Sequence, residues 1–190
     1  MRSEAPDSRS PGPSAFARCW LNAPAAVAAA RSPAYPDRAA GGHPVVTPGN
    51  ETDFAATAAD VLALCHRFRV ASLGYDPWQS TQMAQRLRAE RVNMSEFRAT
   101  TQNFSPAILE LDAGLRAGRL RHDGDPVLEW CVGNVVNRPD RRGNLYPAKQ
   151  RPEQKIDAAV ALMMAVGRCQ AAEAEDASDG PSFFSRRLFA

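Results

Sequence analysis

The sequence predicts an α/β fold in a single domain with ragged ends, and two observations support this. Short apolar runs alternate along the chain with longer segments whose apolar residues recur at the spacing of a helix face, a pattern typical of α/β architecture. The chain has 190 residues, of which 44% are hydrophobic, and this is enough for one buried core but short for two domains.

The first half of the chain is predicted to hold several regular elements after a disordered start. Residues 1–14 are rich in Ser, Pro, Gly and charge, so we expect a disordered tail there. The alanine-rich residues 14–31 predict a helix that Pro24 interrupts. The elements predicted next are a strand over residues 44–47, a helix capped by Asp53 and running to about residue 68, a strand over 70–75, a helix over about 80–90 and a strand over 92–97.

In the second half of the chain, some segments fit more than one type of secondary structure. Ser105 followed by Pro106 is typical of a helix start, and Gly118 of a helix end. Residues 127–136 fit a strand or a short helix, and residues 134–146 have the turn chemistry of a hairpin or a long loop. A last helix is predicted from about Pro152 to Ala172, which gives a domain over residues 15–172 and a mobile tail over residues 173–190.

Two aspartates stand at the ends of predicted elements, where functional sites are commonly built. Asp76 follows the strand over residues 70–75 directly before Pro77, and Asp157 lies in the opening turns of the last helix. Mg²⁺ prefers oxygen ligands, and two-metal phosphodiester cleavage needs several carboxylates that converge from separate elements. The simpler interpretations are a turn residue for Asp76, a first-turn acid stabilised by the helix dipole for Asp157, and a helix cap for Asp53.

The charge of the chain is mildly basic, with a net charge of +2 and a pI near 8.5, which does not by itself indicate nucleic-acid binding. Cations are nevertheless concentrated between residues 138 and 155. Of these, Arg141, Arg142, Lys149 and Lys155 are the candidate DNA-binding residues. A solvated loop explains the same charges equally well.

Several other classes of protein are disfavoured by the sequence. The cysteines are widely spaced, without a Cys-x-x-Cys or Cys/His cluster, so packing thiols are expected rather than a zinc site. No apolar run reaches the roughly 20 residues of a membrane helix and the start lacks a signal-peptide core, so we expect a cytoplasmic protein with no membrane contact. The phosphate-loop and dinucleotide-binding glycine motifs are both missing from the sequence.

A set of short motifs occurs in a fixed order between residues 18 and 170. The motifs are Thr47-Pro-Gly-Asn50 with Asp53, Tyr75-Asp-Pro-Trp78 with Thr81-Gln82, Asn134-Val-Val, Lys149, and Lys155-Ile-Asp157 with Ala161-Leu-Met-Met-Ala165. Together they resemble the nuclease domain of tailed-phage terminase large subunits.

The resemblance implies an RNase H-like fold and cleavage of concatemeric DNA with Mg²⁺ or Mn²⁺ during genome packaging. It makes Asp76 and Asp157 two of the metal-binding acids, and it implies double-stranded DNA, the portal protein and the small terminase subunit as partners. In that family an ATPase domain precedes the nuclease domain, whose first strand carries a further catalytic aspartate, and this chain contains neither. We therefore expect a C-terminal fragment with an incomplete fold, from a truncated or frameshifted prophage gene.

Two functions remain open at this point. The first is a metal-dependent DNA endonuclease domain of the packaging motor, acting in the bacterial host cell, whose activity is weak or lost in the truncated chain. The second is a non-catalytic prophage remnant that keeps the fold and binds DNA or packaging partners.

Overall fold

The computed structural model describes residues 13–30 and 44–179, and it has the predicted α/β architecture. Of the tails predicted over residues 1–14 and 173–190, residues 1–12 and 180–190 lie outside the described residues. Ser14 instead begins a strand, and residues 173–179 continue the last helix. The helices in the described part are α1 (Ala23–Ala30), α2 (Phe54–Arg67), α3 (Pro77–Ala89), α4 (Thr101–Arg116), α5 (Pro126–Gly133) and α6 (Asp157–Asp179).

The strands form two-stranded pairs that do not join into one continuous sheet within these ranges. Three pairs are parallel: β1 (Ser14–Ala15) with β6 (Arg121–His122), β2 (Trp20–Asn22) with β3 (Val45–Thr47), and β4 (Leu73–Tyr75) with β5 (Met94–Glu96). The fourth pair is an antiparallel hairpin of β7 (Val135–Pro139) and β8 (Leu145–Lys149).

The core consists of three apolar clusters, and α6 takes part in two of them. One cluster joins α2, α3 and the β4–β5 pair, a second lies between α4 and α6, and a third joins α5 to the first turn of α6. The start and the middle of α6 are therefore both fixed by burial. The buried residues of the three clusters are, in the same order, Ala58, Tyr75, Ala84, Leu87 and Met94; Phe97, Phe104, Ile108, Leu111 and Met163; and Val127, Leu128, Cys131, Ala158 and Ala159.

Several local predictions are confirmed. Asp53 caps α2 through a hydrogen bond that its carboxylate accepts from the Ala56 N–H at 2.8 Å. Gly118 ends the turn after α4 with a φ of +64°, a conformation that glycine adopts without strain. Residues 134–146, expected to form a hairpin or a long loop, lie in the β7–β8 hairpin. Residues 127–136, expected to form a strand or a short helix, hold most of helix α5 and the start of β7.

The predicted helix over residues 14–31 is wrong. Strands β1 and β2 occupy its first half, and only Ala23–Ala30 is helical. The strands pair with β6 and β3, which lie far away in sequence, and such long-range pairing overrides the local preference of an alanine-rich segment. Pro24 does not interrupt a helix, because it lies in the first turn of α1, where the missing N–H would have no partner in the helix.

Three other predicted helix bounds are corrected. Helix α3 begins at Pro77 rather than near Ser80, since Asp76 already caps it. Helix α4 begins at Thr101, because the Thr100 hydroxyl accepts the Asn103 N–H at 3.2 Å, and Pro106 lies inside the helix between buried residues. Helix α6 begins and ends later than expected, at Asp157 and Asp179.

Candidate active site

Asp76 lies where β4 ends and α3 begins. Its half-buried carboxylate accepts the Trp78 N–H at 3.0 Å, and Pro77 takes the first position of the helix. The preceding residue, Tyr75, is buried, and its hydroxyl accepts a hydrogen bond from Arg88 at 3.0 Å and donates one to Glu96 at 3.3 Å. These contacts hold the end of β4, and with it the backbone of Asp76, against α3 and β5.

Asp157 is the first residue of α6, and its side chain is exposed between buried neighbours. Ile156 before it and Ala158 after it enter the core, which fixes the direction of the helix start. The buried Asn134 side chain donates to the Lys155 carbonyl at 3.0 Å and so ties the approach to α6 to the end of α5.

Helix α6 packs directly against β4, so the two aspartates belong to elements in contact. Arg168 donates through Nε to the Ser72 hydroxyl at 3.0 Å, just before β4. Further along, Phe97 donates its N–H to the Tyr75 carbonyl at 2.8 Å and lies in the same apolar cluster as Met163 of α6. Gly74 inside β4 also lies against Arg168, since a Cβ at Gly74 would be 3.8 Å from the Arg168 Cβ. An approach of the two carboxylates to within roughly 8 Å, as bridging metals would require, stays a prediction.

A complete metal-binding cluster is not found in the described residues: no three or more His, Cys, Asp or Glu side chains are grouped there so as to hold an ion. Asp76 and Asp157 supply oxygen donors, the type that Mg²⁺ and Mn²⁺ prefer. Their carboxylate oxygens suit such an ion. A complete binding site would need further ligands beside them, and no group of three is present in the described residues.

A third acid, Asp125, lies at the start of α5 and was not predicted as a site residue. It is 5% exposed and caps α5, accepting the Val127 and Leu128 N–H groups at 2.8 Å each. Asp125 and Asp157 stand at the starts of α5 and α6, which pack on each other. After burial and Cys131, both acids contribute to the raised pKa of the Cys19 thiol. The sequence carries a signal for it, because Asp125-Pro126 repeats the Asp-Pro pattern of Asp76-Pro77.

The thiols beside the start of α6 are packing residues, as predicted. Burial raises the pKa of Cys19 to about 11, with smaller contributions from Cys131 and the nearby acids. Burial also raises the pKa of Cys131, although hydrogen bonds from the backbone of Ala158 and Ala159 oppose the rise. Both thiols are free and are held in the neutral form at neutral pH, which makes them poor nucleophiles.

The four candidate DNA-binding cations are distributed along the β7–β8 hairpin and its continuation. Arg141 and Arg142 are exposed in the hairpin turn, while Lys149 is half-buried opposite Val135 at the other end. The five paired residues of each strand separate these ends by about 14 Å. Lys155 is exposed two residues before Asp157. The cations therefore extend outward from the start of α6 rather than forming one compact patch.

Asp140 organises the hairpin turn. Its carboxylate accepts hydrogen bonds from the Arg142 N–H, the Asn144 N–H and the Asn144 side chain at 2.8–2.9 Å. The bond from the Asn144 side chain is the main cause of its lowered pKa. Both arginines are thereby presented to solvent at the tip of an ordered turn.

No helix within residues 13–30 and 44–179 is both long and apolar enough to cross a membrane.

Comparison with known proteins identifies the family. The model of the terminase large subunit endonuclease domain matches residues 45–173, and this range includes Asp76, Asp125 and Asp157. Protein YmfN of Escherichia coli (strain K12) is 37% identical over 133 residues, which are 69% of this chain and 29% of YmfN. The terminase large subunit of Enterobacteria phage HK97 is 31% identical over 146 residues, which are 75% of this chain and 29% of that protein.

Solved structures agree with the sequence comparison. The HK97 bacteriophage large terminase superposes with a TM-score of 0.69 at 28% identity, covering 78% of this chain and 32% of that one. The large terminase nuclease of thermophilic phage G20c, crystallised with bound magnesium, gives a TM-score of 0.51 over 63% of this chain and 64% of that one. Its identity of 17% means that this second likeness shows the fold alone.

The chain belongs to the terminase large subunit endonuclease domain family, and its fold is the predicted RNase H-like nuclease fold. It spans about three tenths of the length of the curated relatives that it matches.

Proposed function

We propose that this chain is a metal-dependent DNA endonuclease module of a phage genome-packaging terminase. The observation that carries the proposal is the family match over residues 45–173, which contains both Asp76 and Asp157 at the ends of packed elements. Double-stranded DNA is the proposed substrate. The portal protein and the small terminase subunit are proposed partners of the longer protein, acting in the bacterial cytoplasm.

Asp76 and Asp157 are the proposed ligands of Mg²⁺ or Mn²⁺. A bound metal in such a site activates water and stabilises the charge that develops on the phosphate during cleavage. Asp76 offers a carboxylate that its own helix start already orients, and Asp157 offers one that stays exposed at the start of a buried helix. Because the described residues hold no group of three such ligands, we expect the remaining ones to come from outside these residues.

Asp125 is proposed to support the site without binding the metal. It is buried, and two backbone N–H groups of α5 already occupy one of its oxygens. Its charge acts on the same Cys19 thiol as that of Asp157, so we expect it to add to the negative potential that a cation bound at Asp157 would meet.

The hairpin cations are proposed to contact the DNA backbone. Arg141 and Arg142 at the tip and Lys149 and Lys155 near α6 form a line that leads to Asp157. Contacts between cations and phosphates position a duplex without reading its sequence, as a cleavage module that acts on long DNA requires.

A plasmid-nicking assay tests the proposed chemistry. The full chain is incubated with supercoiled DNA and Mg²⁺, Mn²⁺ or a chelator, alongside the Asp76→Asn, Asp157→Asn and Asp53→Asn variants. We expect weak cleavage that is stronger in Mn²⁺ than in Mg²⁺, because an incomplete ligand set activates water poorly. Either site variant should abolish it. Asp53→Asn is the matched control, since Asp53 caps a helix just as Asp76 does.

Strong Mg²⁺-dependent cleavage that survives both site substitutions would mean that other residues carry the reaction. The second candidate function is a DNA-binding remnant without catalysis, and the lack of a three-acid group within the described residues favours it. Its signature in the same assay is retarded migration of the plasmid without nicking, unchanged by the chelator.

A further inference from the structure

We propose that the outer face of α3, which carries Trp78, Gln82, Gln85 and Arg86, is a second DNA-contact surface beside Asp76. It is separate from the hairpin cations, which lead to Asp157. The inference rests on the proposed function for its ligand, but it assigns the contact to residues that the family match and the two aspartates leave without a role.

The first residue of the surface is an aromatic side chain that is not buried in the core. Trp78 is 78% exposed, the highest value among the large hydrophobic side chains of the described residues. Most tryptophans in folded proteins are largely buried, because the indole offers a large apolar area that water solvates poorly. An indole left open beside a candidate site is well suited to stacking on a nucleic-acid base or sugar.

Helical spacing places the other members of the surface on the same side of α3. Gln82, Gln85 and Arg86 follow Trp78 by four, seven and eight residues, and all of them are exposed. The opposite side of the helix is the one that packs into the core, through Ala84 and Leu87. The surface is therefore a continuous stripe and not a set of scattered side chains.

The chemistry of the stripe suits a polyanion. Between its caps helix α3 contains no acidic residue, although Asp76 precedes it and the exposed Glu90 follows Arg86 by one turn. Arg86 supplies a guanidinium for phosphate, and the two glutamine side chains donate and accept hydrogen bonds. Arg88, the other cation of the helix, is already engaged with Tyr75 and the Met94 carbonyl and is not part of the surface.

The surface lies beside the candidate site, because its first residue contacts Asp76. The backbone N–H of Trp78 donates to the Asp76 carboxylate at 3.0 Å, so the indole starts two residues from a proposed metal ligand. A strand that stacks on Trp78 and contacts Arg86 would pass the Asp76 end of the site, while the hairpin holds DNA at the Asp157 end. The two surfaces together would orient a DNA segment across both acids.

Fluorescence anisotropy with a labelled duplex that carries a single-stranded tail tests the proposal. Ca²⁺ replaces Mg²⁺ so that no cleavage occurs, and the full chain is compared with Trp78→Ala, Trp78→Phe and Arg86→Gln. We expect Trp78→Ala to weaken binding about ten-fold and Trp78→Phe to retain most of the affinity, since a smaller ring still stacks. Arg86→Gln should lower the slope of log affinity against log salt by about one.

Phe54→Ala is the matched control, because Phe54 is also an exposed aromatic at the start of a helix behind a capping aspartate, but on α2. Thermal unfolding of each variant verifies folding, and the double variant Gln82→Glu and Gln85→Glu provides an independent test by placing two acids on the stripe. Unchanged DNA affinity in both Trp78→Ala and the double variant would overturn the proposal, as would an equal loss in Phe54→Ala. Loss of cleavage without loss of binding in Asp76→Asn leaves this surface intact, so the two proposals fail separately.

Discussion

Two glycines inside helices are expected to respond in opposite ways to the same substitution. A Cβ built on Gly167 of α6 would lie 2.7 Å from Cε2 of Phe97 and 3.3 Å from Cβ of Ala107, both closer than carbon atoms normally approach. A Cβ on Gly114 of α4 would meet only Cβ of Leu120, at an ordinary 3.8 Å. Neither glycine has a positive φ, so alanine is compatible with the backbone at both positions.

The magnitude follows from two opposing contributions. Replacing a helical glycine by alanine stabilises by up to about 1 kcal/mol, because the unfolded chain loses conformational freedom. Overpacking a well-filled core costs about 1–3 kcal/mol. The Phe97 ring cannot turn away freely, since its centroid lies 5.1 Å from that of Phe104, which in turn contacts the Tyr146 ring at 5.4 Å. Gly167→Ala should therefore destabilise by about 1–2 kcal/mol, and Gly114→Ala should stabilise by up to about 1 kcal/mol.

Urea unfolding followed by circular dichroism measures both free energies on the full chain, with unchanged m-values as the condition for comparing them. Equal or greater stability of Gly167→Ala relative to the wild type would refute the close packing of α6 on Phe97. Because that contact holds α6 against the β4–β5 pair, the same variant should also reduce the proposed nuclease activity.

Three further outcomes follow from the charges and thiols. Burial raises the pKa of the Cys19 thiol from 9.0 to about 11, so this thiol should react with iodoacetamide at pH 8 about a hundred-fold more slowly than an unperturbed thiol. The rate is measured in a variant that keeps Cys19 as its one cysteine. An ordinary rate there would count against the burial of Cys19. Asp140 has a lowered pKa, so its stabilisation of the hairpin is present at neutral pH and lost as the pH falls below about 4; amide exchange in the turn should accelerate there, and Asp140→Asn should remove this pH dependence. Replacing Arg141, Arg142 and Lys149 together by glutamine should weaken DNA binding and flatten its salt dependence, whereas an unchanged slope would assign them to solvent.

The sequence predicted the elements whose signals are local. Asp53 as a cap and Gly118 as a helix end each depend on a few neighbouring residues, and each is found. The turn chemistry after Asn134 allowed a hairpin or a long loop, and the structure has the hairpin. The N-terminal strands were missed because β1 and β2 exist only through partners around residues 45 and 121. No local pattern encodes such pairing.

The candidate site follows the same division. Asp76 and Asp157 were predicted from their positions at element ends, and the structure places them on elements that pack together through Arg168 and Ser72. Asp125 was missed, because an aspartate before a proline is most simply a cap, and its closeness to Asp157 arises only when α5 packs on the start of α6.

Calorimetric titration of the chain with Mn²⁺ tests the central claim most directly, since it measures metal binding without requiring turnover. The account predicts saturable binding in the wild type and in Asp53→Asn, and strongly weakened binding in Asp76→Asn and in Asp157→Asn. The double variant should lose at least as much affinity as either single one but less than the sum of the two losses, because both carboxylates serve one site. Wild-type Mn²⁺ affinity in both single variants, or no binding by the intact chain at millimolar Mn²⁺, would contradict the assignment of Asp76 and Asp157 as metal ligands.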